Sequence, residues 1–192
     1  MRILTPIFLI LIMLYSTLSF AEIKGEEIEY KSNGTVLKGY LAYDDSIEGK
    51  RPGVIVVHEW WGHNDYARKR ANMLAELGYT AFAIDMYGDG KQADHPDDAG
   101  KFMTETLSNM PEAEKRFNAG VEVLKAQPSV NSDEIAAIGY CFGGAVVLYM
   151  ASTGADLDAV ASFHGAISPG VFTEKKLQPS YSIRRKHGFH TT

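Results

Sequence analysis

Ile135 to Ala151 read IAAIGYCFGGAVVLYMA. The first six residues are a short apolar run that ends in a glycine and a tyrosine, the pattern of a buried strand. The last seven are an unbroken apolar helix former. Where they meet, three glycines, Gly139, Gly143 and Gly144, flank one cysteine. Strand, tight turn and helix in that order form the context of a nucleophile elbow, with Cys141 on the bend. A turn this tight leaves room only for small neighbours, here Gly139 and Gly143, and Gly144 lets the helix approach the strand closely. Cys141 then falls at a helix N-terminus, where unpaired N–H groups and the helix dipole favour a thiolate. The Phe142 N–H is placed to receive a developing oxyanion. A cysteine simply buried beside a βα turn is the alternative reading of the same residues.

Upstream, Gly53–His58 (GVIVVH) is a nearly pure β-branched run, as in a strand covered on both faces of a parallel sheet. It leads into His58-Glu59-Trp60-Trp61-Gly62. In an α/β sheet the C-terminal strand ends share one edge, so this segment and the Cys141 turn are expected together. His58-Glu59 falls short of a zinc-binding HExxH, because Gly62 stands where the second histidine belongs. No zinc site is expected here. Trp60 and Trp61 fit pocket wall or core equally well.

The remaining chain alternates strands and helices. Glu27–Tyr30 and Val36–Tyr43 flank Ser32-Asn33-Gly34, a hairpin signal. Tyr66–Leu77 has helical spacing and Gly78 to stop it, and Thr80–Met86 is another buried strand. A polar loop over 87–98 precedes helices near 97–109 and 111–126. Ala159–His164 is the last strand read. This pattern predicts an α/β fold: a three-layer sandwich, like that of the α/β hydrolases, around a mainly parallel sheet that lacks its last strands and C-terminal helix.

The chain has 192 residues, 45% of them apolar, one cysteine and a net charge of −5. Those figures exclude a disulfide-stapled miniprotein and a basic nucleic-acid binder. Arg2, the apolar run Ile7–Leu14 and Ser19-Phe20-Ala21 have the layout of a secretory signal peptide over 1–21, cleaved after Ala21. That reading implies a secreted or periplasmic protein with no membrane attachment after removal. The domain is expected over 22–176. Residues 177–192 lack the pattern of the preceding chain, and a frameshift near residue 178 is one explanation. The exposed sheet edge left by missing strands is a route to self-association.

GYCFGG, HEWWG and DMYGDG (Asp85–Gly90) together resemble the dienelactone hydrolase family, cysteine-dependent α/β hydrolases, over about residues 27–170. The resemblance implies Cys141 as nucleophile and Glu59 as the carboxylate that contacts and activates the thiol. It implies an oxyanion hole from the Trp60 and Phe142 N–H groups. It also implies cofactor-free cleavage of a small ester or lactone. Family members specific for dienelactone place an Arg just after the DxY segment; here the nearest cation is Lys91. The family's triad Asp and His, which follow the nucleophile, have no counterpart among these residues, since Asp158 is the last Asp. Impaired activity is therefore expected, and a non-catalytic binding protein that keeps the pocket is the competing function. His164, at the same edge, reads as a packed residue; His63 and His95 read as residues of the pocket rim. Glu174 with His187 or His190 would need the tail to fold back.

Overall fold

The structure is a computed structural model that describes residues 22–166. The leader expected over 1–21 and the tail expected over 177–192, with Glu174, His187 and His190, lie outside the described residues. The elements are β1 (Ile23–Ser32), β2 (Thr35–Asp44), β3 (Arg51–Val57), α1 (Asp65–Glu76), β4 (Thr80–Ile84), α2 (Pro96–Leu107), α3 (Met110–Lys125), β5 (Val130–Tyr140), α4 (Phe142–Thr153) and β6 (Ala159–Phe163).

The strands form a six-stranded sheet in the order β1-β2-β4-β3-β5-β6. β1–β2 and β2–β4 are antiparallel; β4–β3, β3–β5 and β5–β6 are parallel. The expected α/β sandwich is thus present, with its parallel half around the Cys141 turn. The hairpin turns at Asn33 (φ 47) and Gly34 (φ 85), the pair of positive φ angles that matches strand twist.

Side-chain alternation fills both faces. Ile55, Val57, Phe82, Ile84, Ile135 and Ala137 pack on one side against Phe117, Val121 and Leu124 of α3 and Val146, Val147 and Met150 of α4. The other face is built from small residues. Ala42, Ala81 and Ala83 meet Ala67, Ala71 and Ala75, which recur once per turn along α1. Alanine on both sides lets the α1 backbone lie close to the sheet. Asn64 caps α1 by accepting the Tyr66 and Ala67 N–H groups, and Gly78 at φ +90 turns the chain out of it.

β5 begins at Val130, well before the apolar run that marks it in sequence. Asn131 pairs with Pro52 but Ile135 with Gly53, so Ser132–Glu134 bulge outward and are exposed. Polar residues at a bulge carry no strand signal, which is why Ile135 reads as the start.

Candidate active site

The elbow has the backbone its sequence implies. Cys141 stands between β5 and α4 at φ 52, ψ −114, outside the regions an L-residue prefers. Its N–H donates to the Phe163 carbonyl (2.9 Å), and its own carbonyl accepts the Ala145 N–H (3.2 Å). The glycines are obligatory by contact. A Cβ on Gly139 would lie 2.1 Å from the Gly143 oxygen, and one on Gly143 would lie 2.3 Å from the Val57 oxygen. On Gly144 it would meet Ser162 Oγ at 2.7 Å and Gly165 Cα at 2.9 Å. The thiol is half-buried and makes no disulfide. Phe142 is the first residue of α4. Among the described residues, neither its N–H nor that of Trp60 is paired with a backbone carbonyl.

Strand register brings the other groups to this edge. Val57 pairs with Gly139, and Tyr140 pairs with Phe163, so Glu59, Cys141 and His164 follow three adjacent strand ends. The Glu59 carboxylate is mostly buried, and its Oε1 lies 3.5 Å from His164 Nε2. Among the described residues His164 is the basic side chain within ion-pair distance of Glu59. The reading of His164 as a packed residue is corrected: its side chain is 62% exposed, because β6 is the outermost described strand and ends at Phe163. His164 also has a positive φ, 44.

His58 is buried. Its Nε2 accepts the Met86 N–H (3.2 Å), so the ring proton sits on Nδ1, which points at the Glu59 carbonyl (2.5 Å). Burial holds this imidazole below its usual pKa. Neither nitrogen is left open to a metal. Among the described residues no three His, Cys, Asp or Glu side chains are gathered closely enough to hold one.

Tyr87 carries a positioning role with little sequence signal beyond its place in DMYGDG. Its ring packs against His58 (4.7 Å between centroids) and Phe142 (5.4 Å). Its hydroxyl donates to the Trp60 carbonyl (3.0 Å). Burial, then the nearby charge of Cys141, push this phenol well above its ordinary range. Beneath it, the buried Asp85 carboxylate accepts the N–H groups of Tyr87, Gly88, Gly90 and Lys38. The loop that carries Tyr87 is thus tied to one carboxylate.

One rim assignment changes, that of His63. Gly62, at φ +90 and bridged to Gln92, turns the chain so that the His63 ring points inward and is fully buried. Among the described residues neither His63 nitrogen has a partner. Burial, then the His58 and Arg68 charges, lower its pKa to about 3. His95 caps α2, its Nδ1 accepting the Asp97 N–H (3.4 Å). Trp60 and Trp61 are both half-buried with rings 5.1 Å apart, and Trp60 packs against the core. Lys91 lies beyond Tyr87, in a pocket of about 130 Å³ that Phe102, Glu105 and Arg116 also line.

The sequence profile of the dienelactone hydrolase family matches residues 37–186. A protein called usf from Aquifex pyrophilus is 38% identical over 146 residues, 73% of this chain and 62% of its own length. The solved structure of m3DLH superposes with a TM-score of 0.74 at 38% identity, covering 79% of this chain and 65% of that one. A dienelactone hydrolase-like promiscuous phosphotriesterase from metagenomic libraries superposes with a TM-score of 0.73 at 36% identity, covering 79% and 64%. This chain therefore spans a little under two thirds of the length of each.

Proposed function

The chain belongs to the dienelactone hydrolase family, and from that premise we propose that it cleaves a small ester or lactone through an acyl group carried on Cys141. The observation that carries the reading is the strained Cys141 backbone between β5 and α4, enclosed by three glycines that admit no side chain. A thiol held there projects over a helix N-terminus, where partial positive charge favours the thiolate.

Glu59 takes the thiol proton as substrate binds. The sulfur attacks the carbonyl carbon, and the carbonyl electron pair moves onto oxygen. The N–H groups of Trp60 and Phe142 receive that oxyanion. Collapse breaks the bond to the leaving alkoxide, which takes the proton from Glu59. Water then cleaves the thioester, releasing the carboxylic acid and restoring the thiol. The hydrogen bond from Tyr87 to the Trp60 carbonyl supports this assignment, since it fixes the peptide unit that follows the Trp60 N–H. With Gly88 and Asp89 directly after the DxY segment, and Lys91 the nearest cation in sequence, dienelactone itself is not the favoured substrate.

Turnover by this chain is slow in this reading. Among the described residues no histidine hydrogen-bonds the Cys141 sulfur, so these residues supply no oriented base for the water that must cleave the thioester. A small activated ester such as p-nitrophenyl acetate tests the proposal. The expected time course is a stoichiometric burst followed by a slow phase, and Cys141→Ala should abolish the burst. An unchanged time course in that variant would overturn the proposal and favour a pocket that binds without reacting.

A further inference from the structure

We propose that His164 is a positioning residue for Glu59: its charged imidazole holds the carboxylate in the place from which it serves the Cys141 thiol. The inference rests on the nucleophile reading above and deepens it. Three observations carry it. His164 Nε2 lies 3.5 Å from Glu59 Oε1. His164 is clamped against the elbow, because the preceding carbonyl, that of Phe163, accepts the Cys141 N–H. The residue that follows, Gly165, lies so close to α4 that a Cβ there would be 2.4 Å from Gly144 C. Third, His164 holds a positive φ of 44 that costs an L-residue energy and that glycine would adopt freely. Burial does not explain a histidine here, since the side chain is mostly exposed. Its fixed backbone instead aims the ring at one carboxylate.

The other groups around this pair are defined. From α1 come Arg70, whose guanidinium lies 4.8 Å from both the Tyr66 and Tyr140 ring centroids, and Tyr66 itself. From the end of β5 comes Tyr140, and from the elbow comes Cys141. Arg70 and Tyr140 both feel the Glu59 charge. Arg70 is already engaged by the Tyr66 hydroxyl through Nε at 2.9 Å. Its guanidinium is thus committed to α1, which leaves His164 as the basic side chain within ion-pair distance of Glu59 among the described residues.

The test is the rate of Cys141 alkylation by iodoacetamide in wild type, His164→Gln, Glu59→Gln and the double variant. His164→Gln should react about threefold more slowly than wild type, the size expected of a partly exposed ion pair. The double variant should be no slower than Glu59→Gln, because His164 acts through that carboxylate. The ratio of wild type to His164→Gln should fall towards one as salt is raised, since an exposed ion pair is screened. Independent, multiplicative effects of the two substitutions, or a ratio that does not change with salt, would overturn the inference. Labelling unaffected by Cys141→Ala would instead place the alkylation elsewhere and remove the nucleophile reading itself.

Discussion

At Cys141 the backbone is held at φ 52 and ψ −114 by neighbours that leave it no alternative. Such a conformation costs an L-residue about 1–3 kcal/mol, whereas glycine adopts positive φ without a Cβ penalty. Cys141→Gly should therefore be more stable than Cys141→Ala by about 1 kcal/mol in urea unfolding, although neither has a nucleophile. Equal midpoints for the two variants would mean the turn is relaxed. This residue-scale feature was legible in sequence, because a bend that excludes side chains must be written in glycine. The orientation of Glu59 was not. Nothing local to HEWWG reveals that its carboxylate meets His164, a residue more than a hundred positions away. That contact arises only when β3, β5 and β6 lie side by side.

The segment after β4 shows how one buried side chain organises a whole loop. Asp85 Oδ1 accepts the Tyr87 and Gly88 N–H groups, and Oδ2 accepts those of Gly90 and Lys38, at 2.8 to 3.2 Å. Asp85→Ala would leave these amides without their acceptor in a largely dry site. A loss of about 3 kcal/mol or more is expected by chemical denaturation, together with faster proteolysis between residues 87 and 93. A loss below about 1 kcal/mol would show that water replaces the carboxylate. Most elements were legible from period and punctuation: the β-branched run of β3, the alanine spacing of α1, and the Asn33-Gly34 turn. The bulge in β5 and the inward turn at Gly62 were not, because both depend on what the neighbouring chain does. His63, on a polar-looking stretch, gave no sign that a positive-φ glycine would bury it.

For the molecule as a whole, buried neutral histidines set its response to acid. An imidazole ordinarily titrates near 6.5, but folded His63 stays neutral down to about 3. His58 is shifted in the same direction by burial. Below 6.5 the unfolded chain takes up protons that the folded chain refuses. Stability is therefore full above that pH and is lost as pH falls towards 3, by about 1.4 kcal/mol per unit from His63. His63→Leu removes one of these groups along with two unpaired buried nitrogens. Between pH 7 and pH 5 the variant should lose about 2 kcal/mol less stability than wild type in urea melts. Parallel pH dependences would show that His63 has a hydrogen-bond partner in solution. The three-layer arrangement followed from the alternation of strand and helix. Sequence reasoning did not anticipate that the Tyr87 ring packs against both the His58 and Phe142 rings beside the elbow.

Peptide mass spectrometry after brief exposure to p-nitrophenyl acetate tests the central claim most directly. An acetyl group on the peptide that contains Cys141, slower to form after Glu59→Gln and absent after alkylation of the thiol, is the predicted result. An unmodified Cys141 while other nucleophiles of the protein become acetylated would contradict the account.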